Sequence, residues 1–423
     1  MTNFFQERNG TLYAEDVALP DIAGQFGTPC YVYSRAALTA VAQEFHAALD
    51  GTVDLVCYAV KANGNLAILN LLARLGFGFD IVSGGELARV LAAGGDPAKI
   101  MFSGVGKTVA EMEAALQAGI LCFNVESASE LGVLAATATR LGKVAPVSFR
   151  VNPDVDAKTH PYISTGLKEN KFGVPFDEAQ ALYRKATALP SLRVVGIDMH
   201  IGSQITELAP YREAAEKLLY LVRRLEADGI VLEHIDIGGG LGVHYRDESP
   251  IPLTMFAQML REVFAGRSER LMMEPGRRLV ANAGVLLTRV LYLKPGEARN
   301  FAIVDAAMTD LIRPALYEAW HPVSAVTKRP VAGEKISDSE KTWDIVGPVC
   351  ESGDFLAHAR PLALREGDLL AVGVAGAYAM VMSSNYNARP RVCEVMVDGS
   401  EITMIRAREE VKKLWETEQI LPK

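Results

Sequence analysis

Between residues 53 and 276, short apolar runs alternate with longer amphipathic stretches. Eight of these runs are rich in β-branched and other apolar residues, which is typical of buried strands. They are VDLVCYAV (53–60), FGFDIV (77–82), KIMFSG (99–104), ILCFNV (120–125), VAPVSFRV (144–151), VVGIDMHI (194–201), LEHIDIG (232–238) and RLMMEPG (270–276). Alternating strands and helices predict a parallel sheet, and eight units predict a closed (β/α)8 barrel. An open doubly wound sheet is the structural alternative.

The stretches between these runs have the spacing of amphipathic helices. Apolar residues recur there at i, i+3 and i+4. Several stretches begin near Ser, Thr or Asp and end at Gly, which are common capping residues. They include NLAILNLLARLG, GELARVLAAGG, TVAEMEAALQAG, SASELGVLAATATRLG and YREAAEKLLYLVRRLEADG.

After residue 284 the pattern changes to short alternating runs without helices between them, which predicts an antiparallel β domain. The runs are GVLLTRVLYL, NFAIVDA, TWDIVGPV, DLLAVGVAGAY, RVCEVMVDG and EITMIRA. Near the N-terminus, TLYAEDVAL and CYVYS are also strand-like, and we expect them to join the C-terminal sheet. We therefore predict an N-terminal segment over 1–45, a barrel over 46–284 and a C-terminal β domain over 285–423. The stretch AREEVKKLWETEQ near the C-terminus predicts a solvent-exposed helix.

Composition excludes several classes of partner. The chain has 423 residues and a net charge of −8, so we expect no nucleic-acid surface. It contains no run of Lys and Arg for anionic lipids, no apolar stretch of the roughly 18 residues that a membrane span needs, and no signal-peptide pattern at its N-terminus. Its five cysteines are widely spaced, which favours a reducing cytoplasm and predicts no zinc site and no other metal site.

In a (β/α)8 barrel the chemistry lies at the C-terminal ends of the strands. Those ends deliver several polar side chains and one glycine-rich turn. They are Lys61, Asp80 and Ser83, Arg150 and Asn152, His200 and Ser203, Gly238–Gly240, and Glu274 with Arg277.

Lys61 raises the sharpest question, because a buried ammonium is unfavourable unless it is paired or deprotonated. Its amine could form an imine with an aldehyde, or it could be a salt-bridged structural lysine. The glycine turn could bind a phosphate through its backbone N–H groups, or it could be an ordinary tight turn. His200 alone could be structural. A phosphate-bearing aldehyde, pyridoxal 5′-phosphate, would account for Lys61 and the glycine turn together, and Glu274 would pair with its protonated ring nitrogen.

Nine segments in order resemble the motifs of the fold-type III pyridoxal-phosphate-dependent decarboxylases, and among these the diaminopimelate decarboxylase family. The resemblance extends over nearly the whole chain. The segments are YAVKAN (58–63), FDIVSGGEL (79–87), HPYISTGLKENKFG (160–173), HIGSQ (200–204), GGGLG (238–242), EPGR (274–277), RPALYEAWHP (313–322), GPVCESGD (347–354) and GAYAMVMSSNYNARPRVCEV (376–395). This resemblance implies an alanine-racemase-like barrel with a C-terminal β domain, and a homodimer with shared active sites. It also implies decarboxylation of meso-diaminopimelate to L-lysine and CO2, the last step of lysine biosynthesis.

The resemblance also implies roles for individual residues. Lys61 would bond to the cofactor aldehyde, His200 would stack on the pyridine ring, and Glu274 would pair with its nitrogen. The other implied cofactor contacts are Asp80, Ser203, Gly239, Gly240, Gly276, Arg277 and Tyr378. The implied substrate contacts are Arg277, Arg313, Tyr317, Glu351 and Tyr378. Cys350 would be the proton donor, and Cys350 and Glu351 would come from the partner subunit.

Three other functions stay open at this point. Decarboxylases of the same fold that act on ornithine, arginine or carboxynorspermidine usually have an aspartate at the position of Glu351. A racemase would have Tyr and His after KAN and an Arg facing the ring nitrogen, whereas this chain has GNLAIL and Glu274. A non-catalytic regulator of the same fold would be expected to lack Lys61 or Cys350, and both are present.

Overall fold

The computed structural model describes residues 4–157, 165–166, 170–328 and 341–423. The chain divides into two compact units. The barrel unit contains Val41–His244 and Glu248–Leu279, and the β unit contains Met1–Ala40, Tyr245–Asp247 and Val280–Lys423.

The N-terminal part of the β unit begins with three short strands and continues through a helix into a fourth strand. The elements are β1 (Phe5–Arg8), β2 (Thr11–Ala14), β3 (Val17–Ala18), α1 (Leu19–Phe26), β4 (Cys30–Ser34) and α2 (Arg35–Leu49). Strands β1–β3 form a sheet of their own, whereas β4 enters the large C-terminal sheet. Of the two N-terminal runs, only CYVYS therefore joins that sheet. The apolar side chains of TLYAEDVAL pack in the same core, where Leu12 and Val17 lie with Val32, Val285 and Val395.

The described residues of the barrel unit form nine parallel strands, with helices between them. The strands are β5 (Leu55–Ala59), β6 (Gly78–Ile81), β7 (Ile100–Phe102), β8 (Cys122–Val125), β9 (Ala145–Asn152), β10 (Val174–Pro175), β11 (Leu192–Asp198), β12 (His234–Asp236) and β13 (Arg270–Met273). The strand order is β9-β11-β12-β13-β5-β6-β7-β8, and pairing of β8 with β9 closes the ring, while the short β10 is added beside β9. This closure confirms the predicted (β/α)8 barrel over the open sheet.

The barrel helices are α3 (Leu66–Arg74), α4 (Gly84–Ala92), α5 (Val109–Ala118), α6 (Ala128–Arg140), α7 (Phe176–Thr187), α8 (Leu208–Ala227) and α9 (Leu253–Val263), and α10 (Arg277–Val280) follows the last strand. Several begin at side-chain caps, and the Ser and Thr caps are of the types that the sequence predicts. The Asn65, Ser83 and Ser127 side chains each accept a backbone N–H in the first turn. Thr108 and Glu111 form a complete capping box at α5, which ends at Gly119 in a left-handed conformation.

In the rest of the β unit, the described residues form strands of varied length and one short α-helix. They are β14 (Gly284–Lys294), β15 (Asn300–Val304), α11 (Arg313–Tyr317), β16 (Val323–Ala325), β17 (Lys341–Val346), β18 (Phe355–Leu362), β19 (Leu369–Val372), β20 (Cys393–Asp398) and β21 (Glu401–Arg406). The sheet is mostly antiparallel as predicted, but β15–β17 and β20–β4 pair in parallel. Each parallel pair joins strands that are far apart in sequence, as parallel neighbours require.

The predicted C-terminal helix is wrong. Only a single 3-10 turn, Val411–Leu414, forms there, and none of its residues is buried. An exposed segment lacks the packing from which a short helix draws most of its stability. No helix among the described residues has the length and apolarity that crossing a bilayer would require.

Candidate active site

Lys61 lies directly after strand β5, within a single 3-10 turn that spans Val60–Ala62. Its Nζ donates to Asp80 Oδ2 at 3.1 Å, and the Asp80 side chain at the end of neighbouring strand β6 is fully buried. The Lys61 side chain itself is 36% exposed. The amine is therefore held in place by one buried carboxylate while part of the side chain faces open space at the rim.

Three more carboxyl groups are buried nearby in the barrel. Asp198, Asp236 and Glu274 belong to neighbouring strands or follow them, and their side-chain oxygens lie within 4.8 Å of one another. Burial raises the pKa of Glu274 well above its usual range, and the negative charges of Asp80, Asp236 and Asp198 raise it further. The pKa of Asp236 is raised for the same reasons. The nearby Lys61 charge opposes both rises.

The pKa of Asp198 is also raised, although a cation lies nearby. Burial raises its pKa to about 7, against the lowering effect of Arg150. Arg150 on strand β9 also lies 3.6 Å from Glu126. Within the part of the chain that the structure describes, one carboxyl oxygen on each of Asp80, Asp198 and Asp236 is buried without a hydrogen-bond partner. Buried acceptors of this kind are unfavourable, so the site favours a ligand that brings a donor or a positive charge.

The glycine turn after β12 is packed too tightly for any side chain. A Cβ on Gly239 would lie 2.0 Å from the Glu274 carbonyl oxygen, and one on Gly240 would lie 2.3 Å from the Gly202 carbonyl oxygen. Gly238 and Gly240 also have φ values of 70° and 102°. Asp236 anchors the turn, since its Oδ1 accepts the Gly238 N–H at 2.8 Å. Glycine is therefore required at each of these positions, either by contact with a neighbouring carbonyl oxygen or by the positive φ.

His200 follows strand β11 and faces this turn. Its Nδ1 accepts the Gly239 N–H at 3.1 Å, which leaves the ring proton on Nε2. Burial and the charges of Arg150 and Lys61 lower the pKa of His200 well below its usual range, so the ring is neutral at physiological pH. A neutral imidazole with a fixed tautomer can stack against another flat ring.

Ser203 and Arg277 meet on the same side of the barrel rim. Arg277 Nη2 donates to Ser203 Oγ at 3.1 Å, and Arg277 is 6% exposed. The Gly276 carbonyl oxygen accepts the Leu279 N–H at 3.1 Å at the start of α10. The Gly238 and Gly239 N–H groups already donate to Asp236 and His200. A guanidinium, a hydroxyl and the Gly240 N–H are together donor types that bind a phosphate or carboxylate.

Sequence reasoning did not identify Asp198 and Asp236 as site residues. Each is a carboxylate within an otherwise apolar strand, in VVGIDMHI and LEHIDIG. That signal was available, because a charged side chain inside a buried strand needs a partner.

The predicted substrate residues Arg313, Tyr317 and Tyr378 belong to the β unit. Arg313 is buried, and its Nη1 donates to Tyr245 Oη at 2.9 Å and to His321 Nε2 at 2.8 Å. Tyr317 lies four residues later in α11, so both residues are on the same side of that helix. Tyr378 has a positive φ of 53°. The Arg313 guanidinium is thus buried and held in place by its hydrogen bonds to Tyr245 and His321.

Cys350 and Glu351 lie in the turn after strand β17, also in the β unit. Cys350 is an exposed free cysteine. The Glu351 Oε1 accepts the Tyr386 hydroxyl at 2.6 Å. Neither side chain is buried within its own chain, so both are accessible to another molecule.

A ligand that fits the barrel rim must therefore have three properties. It must carry an electrophile for the Lys61 amine, a positive charge for the buried carboxylates near Glu274, and an anionic group for Ser203, Arg277 and the glycine turn.

Comparison with known proteins agrees with this geometry. The sequence profile described as "Pyridoxal-dependent decarboxylase, pyridoxal binding domain" matches residues 35–281. A diaminopimelate decarboxylase of Pseudomonas aeruginosa is 59% identical, with 99% of each chain covered. One of Vibrio cholerae is 57% identical, with 100% of each chain covered.

Solved structures give the same result. The diaminopimelate decarboxylase of Helicobacter pylori in complex with L-lysine superposes with a TM-score of 0.90 at 42% identity, over 95% of this chain and 99% of that one. The enzyme of M. jannaschii with L-lysine has a TM-score of 0.93 at 36% identity, over 99% and 98% of the two chains.

Proposed function

The chain belongs to the diaminopimelate decarboxylases, a family of pyridoxal-dependent decarboxylases, and we propose that it binds pyridoxal 5′-phosphate covalently at Lys61. It is a lyase that releases CO2 from diaminopimelate and leaves lysine. We further propose that its substrate is the meso isomer, its product L-lysine, and its role the last step of lysine biosynthesis. The observation that carries the proposal is the Lys61 amine beside a group of buried carboxylates at the barrel rim.

The residues at the rim fit this cofactor on three counts. Its aldehyde matches the Lys61 amine. Its protonated ring nitrogen supplies the positive charge and the N–H donor that the carboxylates around Glu274 require, and it would lower the raised pKa of Glu274. Its phosphate matches Ser203, Arg277 and a glycine turn too crowded for a Cβ. We assign Tyr378 and the Gly276 backbone to the phosphate as well.

When bound, the cofactor supplies an electron sink that delocalises the electron pair left on Cα as CO2 departs. The chain's own residues do the rest. Glu274 would pair with the ring nitrogen and favour its protonated form, His200 would stack on the ring, and Asp80 orients the Lys61 amine. Cys350 returns a proton to Cα, because a thiol can act as a general acid.

Recognition of the substrate's distal end needs both a cation and an anion. Arg313 has the forked geometry that binds a carboxylate through two hydrogen bonds. Tyr317, Tyr378 and Arg277 are the remaining carboxylate contacts in this proposal, and Glu351 is the contact for the distal ammonium. Ornithine and arginine have no distal carboxylate, so a buried guanidinium at Arg313 favours diaminopimelate over them.

We propose a homodimer in which Cys350 and Glu351 complete the active site of the partner subunit. Their exposure within their own chain supports this assignment. We also place the enzyme in the cytoplasm, because all five of its cysteines are free, as a reducing compartment would keep them.

A CO2-release assay over meso-diaminopimelate, ornithine, arginine and lysine tests the substrate. We expect turnover of diaminopimelate alone. Arg313→Lys keeps the positive charge but not the fork, so it should raise KM for diaminopimelate by about tenfold or more while the cofactor absorbance stays unchanged. Faster turnover of ornithine or arginine by the wild type would contradict the substrate assignment.

A further inference from the structure

The turn that carries Cys350 and Glu351 is fixed at its base by a buried carboxylate. Asp354 is 3% exposed, and its two oxygens accept the backbone N–H groups of Met308 at 2.6 Å and Val349 at 2.7 Å. A Cβ on Gly347 would lie 2.4 Å from Asp354 Oδ2, so the strand end and the carboxylate pack without a gap. The turn therefore leaves β17 in one defined direction.

A second segment, residues 385–389, contacts the tip of the same turn. The Tyr386 hydroxyl donates to Glu351 Oε1 at 2.6 Å. The Cys350 backbone N–H donates to Asn387 Oδ1 at 3.0 Å. Two consecutive residues of this segment thus contact the two consecutive residues to which we assign substrate contact and proton return.

The segment that provides these contacts is itself anchored on both sides. On one side, Asn385 donates to Glu409 Oε2 at 2.8 Å. On the other, Arg389 donates to the Asp305 carbonyl oxygen at 2.6 Å and lies 3.7 Å from Asp310. Between these anchors, Asn387 has a φ of 56°. Asn is one of the few non-glycine residues that adopt this left-handed region readily, so the backbone here has a defined turn.

From these contacts we propose that Asn387 is a positioning residue for catalysis, and that Tyr386 determines specificity for the substrate's distal ammonium. This inference rests on the proposed function, in which Glu351 binds that ammonium. The Tyr386 hydroxyl occupies one oxygen of the Glu351 carboxylate and stops its rotation, so the second oxygen, Oε2, is presented in one direction. Asn387 fixes the backbone of Cys350 and therefore the position from which the thiol side chain extends.

Tyr386→Phe tests the specificity role, because it removes only the hydroxyl. The probes are meso-diaminopimelate and 2-aminopimelate, which keeps both carboxylates but has no distal amine. We expect KM for diaminopimelate to rise about tenfold, the range of one charge-assisted hydrogen bond, with kcat within about twofold of the wild type. The inhibition constant of 2-aminopimelate should not change.

A double-mutant cycle with Glu351→Gln sharpens this test. If Tyr386 acts through Glu351, Tyr386→Phe should add little further loss in the Glu351→Gln background. If Tyr386→Phe weakened binding of both probes equally, or if the losses of the two substitutions were fully additive in the double-mutant cycle, the specificity role would be overturned. A wild-type enzyme that released no CO2 from diaminopimelate would instead overturn the proposed function and this inference with it.

Asn387 offers a matched pair of variants. Asn387→Gly accepts the positive φ but removes the acceptor for Cys350, and we expect kcat to fall about tenfold with unchanged cofactor absorbance. Asn387→Asp keeps an acceptor and tolerates the same backbone region, so it should restore most of kcat. An Asn387→Gly variant with wild-type kcat, or an Asn387→Asp variant as slow as Asn387→Gly, would overturn the positioning role.

Discussion

The carboxyl groups of Asp198, Asp236 and Glu274 lie so close together that three full negative charges would repel one another strongly. The protein tolerates this arrangement by raising their pKa values, so the group holds protons that isolated acids would release. A cationic ring nitrogen would reverse this preference at Glu274. The chemistry of single residues thus depends on a field that several buried residues create together.

Asp198 gives a prediction about stability and pH. Its pKa of about 7 in the folded chain lies above the ordinary 3.8, so the folded chain keeps this proton between those values. The stabilisation is complete below about pH 4 and is lost as the pH rises to about 7. In cofactor-free protein, the free energy of unfolding should fall between pH 5 and pH 8 by about 3 kcal/mol more in the wild type than in Asp198→Asn.

Urea denaturation of both proteins at the two pH values measures this difference. The Asp198→Asn side chain has nearly the same size and cannot ionise, so the comparison reports the titration of Asp198 together with its effect on Asp236 and Glu274. Parallel pH profiles for the two proteins would show that burial does not perturb the pKa of Asp198.

Among the secondary-structure elements, the glycine turn after β12 is the one whose backbone shape the site requires most directly. A Cβ on Gly239 would lie 2.0 Å from the carbonyl oxygen of Glu274, and that backbone cannot move without shifting the Glu274 side chain. We expect Gly239→Ala to weaken cofactor affinity by at least about tenfold, because it displaces both the turn and Glu274.

Gly132→Ala is the matched control for Gly239→Ala. Gly132 lies within helix α6, and a Cβ there would meet no atom within 4 Å. This substitution should leave cofactor affinity unchanged and raise the free energy of unfolding by about 0.5–1 kcal/mol. Cofactor titration followed by absorbance compares the two variants, and equal affinities would contradict the requirement for glycine at position 239.

Elements were predictable from the sequence where their signal is local. The apolar run that contains β5 and the start of helix α5 at Thr108 depend on neighbouring residues, and both form as predicted. The C-terminal helix failed because its stability would depend on packing that its sequence does not report. The parallel pairing of β4 with β20 was not predictable, since it joins segments more than three hundred residues apart.

The residues of the candidate site also differ in whether the sequence alone identifies them. Lys61, His200 and Glu274 stand out because each ends an apolar run or follows one. Asp198 and Asp236 were missed, because their meeting with Glu274 becomes apparent only when the barrel closes and brings three strands together. Knowledge of the strand order is therefore needed to find them.

At the scale of the whole molecule, the proposal requires two chains. Cys350 and Glu351 are exposed within their own chain, and we assign them to the partner's active site. Lys61→Ala and Cys350→Ala homodimers should each be nearly inactive. Mixing them in equal amounts should restore about a quarter of the wild-type activity, because half of the dimers are mixed and each mixed dimer has one intact site.

Native mass spectrometry should confirm subunit exchange in the mixture before activity is compared. Two wild-type samples mixed in the same way provide the reference. Absence of recovery with exchange complete would mean that each active site is built from a single chain.

The most direct test of the account is to reduce the enzyme with borohydride in the presence of pyridoxal 5′-phosphate and map the label by peptide mass spectrometry. We predict one pyridoxyl-labelled peptide, with the label on the Lys61 side chain. Lys61→Arg, which keeps a cation beside Asp80 but has no amine that can bond to an aldehyde, should carry no label and release no CO2. A label on another lysine, or an unlabelled wild-type enzyme that still decarboxylates diaminopimelate, would contradict the account.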